Sequence, residues 1–252
     1  MPLQSEREGA GPRVVLVHGF GQTGRCWGPL APALARDHEV VRVDAPGHGG
    51  SAAIAADLPA TGRLLADAGG PAVYLGYSMG GRMVLHVAAH APEALRALVV
   101  VGGTPGIADD AERAARHGSD LALAARIRSG GVPDFVRAWL AMPMFAGLPP
   151  EGRFVAERER NTAEGLATSL ELAGTGAQAP LWDALAAIDV PVLWVAGADD
   201  DRYAGIAREA AGAIGPNARA ALVPGAGHSA HLEAPGPFID LVTGWLAEVS
   251  GR

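Results

Sequence analysis

Residues 72–82 read Ala72-Val-Tyr-Leu-Gly76-Tyr77-Ser78-Met79-Gly80-Gly81-Arg82, an apolar run that turns through a glycine-flanked serine into a helical pattern. The run AVYL is apolar at consecutive positions, as a strand buried on both faces should be. A sharp strand-to-helix turn needs glycines beside the serine, because a side chain there would strike the neighbouring backbone. Such a turn lifts the hydroxyl above the sheet edge and aims the next backbone N–H groups at the same space. The spacing therefore predicts a nucleophilic serine, Ser78, at the carboxyl edge of a parallel sheet.

Outward from this turn, short β-branched runs alternate with helical patterns. Arg13–Val17, Glu39–Val43, Ala72–Leu75, Ala97–Val101, Pro191–Ala196 and Ala220–Val223 read as strands. Trp27–Leu34, Leu58–Ala68, Gly81–Ala91, Ala204–Ala213 and Pro237–Val249 read as helices. The alternation predicts an α/β fold, a mainly parallel sheet flanked by helices. Between about Pro105 and Ala187 no good strand occurs, only amphipathic stretches at Asp109–Ile127, Pro133–Leu140 and Phe154–Ala173. Insertions lodge at loops over a site, so residues 105–187 are expected to form a helical cap on a core of residues 1–104 and 188–252.

Composition narrows the chemistry. The chain has 252 residues, 49% hydrophobic and 19% charged, which suits a sizeable core and excludes disorder. No apolar run nears the roughly 20 residues that span a bilayer. The start, MPLQSEREGAGPR, is polar and acidic, unlike a signal or transit peptide, so a cytoplasmic location is expected. Twenty basic residues against 27 acidic ones leave −7, with no basic run, so nucleic acid is not an expected partner. Every basic residue is arginine, which excludes Schiff-base and P-loop lysine chemistry. The single cysteine, Cys26, excludes an intrachain disulfide and a cysteine-built metal site.

A serine nucleophile needs a base and an orienting acid. Among eight histidines, His228 in Pro224-Gly-Ala-Gly-His228 lies just past the last strand, where it can reach across the sheet edge. His231 is its rival, while His18 and His48 sit in earlier loops. The acid should follow the strand PVLWVA, where Asp199, Asp200 and Asp201 stand in a row and spacing does not choose among them. For the oxyanion hole, the strand RVVLV ends in His18-Gly19-Phe20, whose Phe20 N–H would converge with the Met79 N–H on one oxygen. The segment Asp44–Ser51 is taken as structural. Arg82 lies four residues after Ser78, on the same helix face, beside Met83, Val84, Val87 and Ala88. A guanidinium among such neighbours wants an anion, either a structural carboxylate or one on a substrate.

These residues resemble the α/β-hydrolase superfamily over nearly the whole chain, with its order Ser, Asp, His. Within it the chain resembles the 2-succinyl-6-hydroxy-2,4-cyclohexadiene-1-carboxylate synthases of the menaquinone pathway. His18-Gly-Phe-Gly with Trp27 downstream is similar to that family's opening segment, and Gly76-Tyr-Ser-Met-Gly-Gly-Arg82 matches its serine turn through the arginine. Gly197-Ala-Asp-Asp200-Asp-Arg-Tyr203 resembles its G-x-x-D-x-[KR]-[FY], which selects Asp200. Gly227-His228-Ser-Ala-His231-Leu-Glu resembles its histidine segment. Arg116-His-Gly-Ser-Asp120, Trp139–Phe145 and the region Arg158-Glu-Arg160-Asn161 resemble its cap motifs, with Arg158 favoured over Arg160 by distance from Asn161 and Gly165. Leu140 departs from members that carry an aromatic there.

The resemblance implies substrate contacts from Tyr77, Arg82, Arg116, Trp139 and Arg158, and neither a metal nor an organic cofactor. The implied substrate is a small cyclohexene with three carboxylates. It would lose pyruvate after proton abstraction by Ser78, deprotonated through His228 and Asp200. An ester, lactone or C–C bond hydrolase is the alternative, and a non-catalytic ligand-binding relative the remote one.

Overall fold

The strand that carries the serine lies in the middle of the sheet, and that position follows from its apolar sequence. The computed structural model describes residues 1–250. Its strands are β1 (Ser5–Glu8), β2 (Arg13–Val17), β3 (Glu39–Val43), β4 (Ala72–Tyr77), β5 (Leu95–Val101), β6 (Val192–Gly197) and β7 (Ala218–Val223). They form one sheet in the order β1-β3-β2-β4-β5-β6-β7. All neighbours are parallel except β1, which runs antiparallel to β3.

The helices are α1 (Leu30–Leu34), α2 (Leu58–Gly69), α3 (Met79–His90), α4 (Asp110–Leu140), α5 (Val155–Arg158), α6 (Ala163–Ala173), α7 (Asp201–Ile214), α8 (Ala230–Glu233) and α9 (Pro235–Ser250). The period-two rule places Val15 and Val17 of β2 on one face of the sheet, in a core with Leu65, Met83 and Ala207. Val14 and Leu16 face the other side, packed with Leu30, Leu34, Phe238 and Trp245. Helices thus cover both faces, as a buried parallel sheet requires.

The site's location is a matter of topology. From β2 the chain moves to β3 on one side, and from β4 it moves to β5 on the other. Loops after β2 and β4 therefore diverge, leaving a crevice at the carboxyl ends of the strands. Between β5 and β6 only helices and turns occur. They enclose a separate apolar core that includes Ile127, Phe135, Leu140, Phe145, Leu166 and Leu170.

Four stretches differ from the sequence expectation. Polar β1 was not expected; it pairs at the sheet edge, with Glu6 and Glu8 bridged by Arg42 at 3.1 and 3.2 Å. The stretches at 109–127 and 133–140 join into α4, which bends at Gly131 (φ 80°), two residues before Pro133. The stretch 154–173 is broken between α5 and α6, and Trp27 lies in a turn before the shorter α1. No helix among the described residues is long and apolar enough to cross a membrane.

Candidate active site

Backbone packing forces the serine turn. A Cβ on Gly76 would lie 2.2 Å from the Gly80 carbonyl oxygen, and one on Gly80 would lie 1.9 Å from that of Val17. Ser78 between them takes φ 53°, ψ −108°, a conformation that costs energy for a residue with a side chain. The turn exposes Oγ at the N-terminus of α3.

The predicted partners meet it. His228 Nε2 lies 3.1 Å from Ser78 Oγ, and His228 Nδ1 lies 2.9 Å from Asp200 Oδ2. Of the three aspartates after β6, Asp200 is the one bonded to the histidine; its Oδ1 also accepts the Tyr203 N–H at 3.2 Å and caps α7. Burial raises the Asp200 pKa, but the bonds from His228 and the Tyr203 amide outweigh it and hold the carboxyl below its ordinary value. The rival His231 is 1% exposed and ringed by Trp27, Tyr77 and Phe238. Burial, with His228 and Arg158 nearby, pushes it down to about 3, so it is a neutral core histidine.

Two backbone donors belong to residues that line one cavity. Met79 is the first residue of α3, so its N–H has no intrahelical acceptor. The Phe20 N–H, after β2, meets no acceptor among the described residues. Both residues line a cavity of about 1260 Å³ together with Ser78 and His228.

Arg82, Arg116 and Trp139 line that cavity too. Arg82 is only 6% exposed. Its Nη1 donates to the Ala173 carbonyl (2.8 Å) and to Gln178 Oε1 (3.4 Å), and it forms no ion pair among the described residues. Burial, with Arg116 adding to it, pushes the guanidinium down to about 10, which leaves it a cation at neutral pH. Arg116 is held by Asp120, whose carboxylate accepts from its Nε (2.8 Å) and from the Gly176 N–H (3.0 Å). Trp139 packs edge-on against Phe20 at 5.5 Å, and its indole N–H is buried without a partner.

Arg158 and Tyr77 are not among the lining residues. Arg158 is 2% exposed behind the Gly19–Gly21 loop, donating from Nε to the Arg153 carbonyl (2.8 Å) and from Nη1 to that of Gly21 (3.3 Å). Arg160 faces solvent beside Glu157. The Tyr77 hydroxyl shares a 2.7 Å hydrogen bond with Ser229 Oγ, and its ring packs on His228 and His231. Two carboxylates at the site appear in the quoted motifs without a role read for them. Asp120 had a signal in its i,i+4 spacing from Arg116. Glu233 had none: it accepts the N–H groups of Gly227 and Ser229, both at 2.8 Å, on either side of His228.

Residues 14–241 match the model of the Alpha/beta hydrolase family. The chain is 36% identical over 232 residues to the 2-succinyl-6-hydroxy-2,4-cyclohexadiene-1-carboxylate synthase of Enterobacter sp. (strain 638), covering 89% of this chain and 87% of that one. It is 34% identical over 239 residues to the protein of the same name from Salmonella newport (strain SL254), covering 91% of each. The solved structure of MenH from S. aureus superposes with a TM-score of 0.87 at 27% identity, covering 98% of both chains.

Proposed function

The chain belongs to the alpha/beta hydrolase family, and within it to the 2-succinyl-6-hydroxy-2,4-cyclohexadiene-1-carboxylate synthases, and on that footing we propose a lyase that releases pyruvate from 2-succinyl-5-enolpyruvyl-6-hydroxy-3-cyclohexene-1-carboxylate in menaquinone biosynthesis. The observation that carries the reading is Arg82. A buried cation one helical turn from Ser78, facing a cavity and lacking a carboxylate partner, suits a substrate that brings its own carboxylates. Arg116 supplies a second cation at the same cavity.

The chemistry follows from the hydrogen bonds. His228 takes the Ser78 proton at Nε2, with Asp200 holding Nδ1 and balancing the imidazolium charge. The serine oxygen removes the ring proton next to the succinyl ketone. Electrons move onto the ketone oxygen, where the Phe20 and Met79 N–H groups meet the developing charge. Collapse of this enolate breaks the ether C–O bond; the departing enolate of pyruvate is protonated by the imidazolium, and no acyl-enzyme forms. Residues 105–187 serve as the cap over this space, Trp139 gives the cavity an aromatic wall against the substrate, and the small substrate is the partner, without nucleic acid. The pathway carries a cytoplasmic location with it.

The test is pyruvate release from the enolpyruvyl substrate, followed through lactate dehydrogenase. Ser78→Ala should remove most turnover and leave the fold intact; near-normal turnover in that variant would sink the assignment. A p-nitrophenyl ester should give no stoichiometric burst, and a burst without pyruvate release would make the protein an ester hydrolase.

A further inference from the structure

The loop after β2 shows an uneven distribution of hydrogen bonds. The Gly19 N–H donates to Gln22 Oε1 (2.9 Å), and the Gly19 carbonyl accepts from the Gln22 N–H (3.1 Å) and from the His18 ring at Nδ1 (2.8 Å). The Gly21 N–H donates to His48 Nε2 (3.1 Å), and the Gly21 carbonyl accepts from Arg158 Nη1 (3.3 Å) and Asn161 Nδ2 (3.4 Å). Of the three N–H groups in Gly19–Gly21, the one left over among the described residues is that of Phe20. In a trans peptide, the carbonyl and the following N–H point in opposite directions. Two donors that hold the Gly19 carbonyl on one side therefore turn the Phe20 N–H to the other.

The tautomers are settled by the backbone. The Ala45 N–H donates to His18 Nε2 at 3.0 Å, and a backbone N–H cannot accept, so His18 Nε2 is bare and Nδ1 carries the proton. The same reasoning applies to His48, whose Nδ1–H donates to the Pro46 carbonyl at 3.0 Å. Each ring thus has both nitrogens engaged, one as donor and one as acceptor. Burial pushes His18 down to about 4, and burial together with His18 pushes His48 down to about 3, so both stay neutral in the working range. The rings pack edge to face at 5.1 Å, and neither lines the cavity.

We infer that His18 and His48 are positioning residues for the oxyanion hole: His18 fixes the peptide that carries the Phe20 N–H from its carbonyl side, and His48 fixes the next peptide from its N–H side. The inference rests on the reading of Phe20 and Met79 as the oxyanion donors. An oxyanion hole is effective because its donors need not reorient as charge develops. A loop rich in glycine has no stiffness of its own to provide this. The two neutral imidazoles supply the stiffness, each through the one ring nitrogen that faces the loop.

The two histidines use opposite nitrogens toward the loop, and this gives a test that a general packing role would not pass. An asparagine amide stands near the place of Nδ1, and a glutamine amide near that of Nε2. His18→Asn should therefore keep the donor to the Gly19 carbonyl, and His18→Gln should lose it. At the other position the order reverses, because His48→Gln keeps the acceptor for the Gly21 N–H and His48→Asn loses it. The variants that lose the loop contact should fall about tenfold or more in kcat, below the roughly hundredfold loss for deleting a whole donor. KM should change much less, and the retaining variants should stay within about threefold of the wild type.

Binding of phenylboronic acid, whose tetrahedral adduct on Ser78 places an oxygen in the hole, should weaken in the same crossed order. This probe needs no turnover. If the wild type released no pyruvate but the boronate order crossed, the lyase reading would fall and the positioning role would stand. Equal losses for asparagine and glutamine, no loss at all, or an order that fails to cross would overturn the inference. Melting curves identify any variant that does not fold, and either histidine's pair decides the matter alone, since each predicts its own order.

Discussion

A guanidinium stripped of water must find something in its place, and Arg82 finds two neutral oxygens, a helix carbonyl and an amide. Charge-assisted contacts to an ionised ligand contribute about 1.5–3 kcal/mol each. Arg82→Ala should therefore lower kcat/KM for the tricarboxylate about 10–100-fold, at tenfold per 1.4 kcal/mol. Arg82→Lys should recover only part of it, because an ammonium lacks the planar fork. Unchanged kinetics would show that the arginine is there for packing alone. The structure brings together the side chains whose place follows from a strand end, Ser78, Asp200 and His228. Arg158 and Tyr77 lie off the cavity lining, because the side of a loop that a long side chain takes depends on what the rest of the chain has already filled. The role of Glu233 was hidden for a related reason: its partners are backbone amides, which every residue has.

At the scale of elements, legibility tracked apolar patterning. Strands β2, β4, β5 and β6 announce themselves because both their faces are buried. β1, four charged or polar residues at an edge, lacks that pattern and is held by backbone pairing and Arg42. Helix α4 shows the converse. Gly130-Gly131-Val-Pro133 reads as a break, and the structure turns it into a bend that carries Arg116 on one arm and Phe135 and Trp139 on the other. Gly131 needs its positive φ there, and a Cβ would meet no close neighbour, so the cost of Gly131→Ala is conformational alone. With ψ at 173° the residue sits in a region that only glycine adopts freely, and the cost is about 1–3 kcal/mol. The variant should melt at a lower temperature and show a raised KM, as the two arms no longer meet the cavity at the same angle; an unchanged KM would mean that the bend is incidental.

For the molecule as a whole, four buried histidines set the response to acid. His18, His48, His86 and His231 are pushed down to between about 3 and 4, in each case mainly by burial. The folded chain keeps them neutral while the unfolded chain binds protons below about pH 6.5, so the unfolded state binds more protons across that window. Stability is present above pH 6.5 and is lost as the pH falls toward 4. The urea midpoint should drop accordingly. His86 lies outside the site, stacked on His90, with neither ring nitrogen partnered. His86→Phe should flatten the decline, removing on the order of 3 kcal/mol of it; a curve as steep as the wild type's would place the acid sensitivity elsewhere.

The bond from Arg82 to the Ala173 carbonyl joins the floor of the cavity to its roof, because α3 belongs to the sheet layers and α6 to the helical insertion. The roof is therefore anchored by a cation whose remaining N–H groups are free to take a ligand. Occupancy and roof mobility then share one side chain, and should be visible together in the exchange of amide hydrogens with deuterated water. Bound substrate should slow exchange at residues 163–178, and Arg82→Ala should hasten it even with the cavity empty. Identical exchange in the empty wild type and the variant would show that the roof holds without this strut.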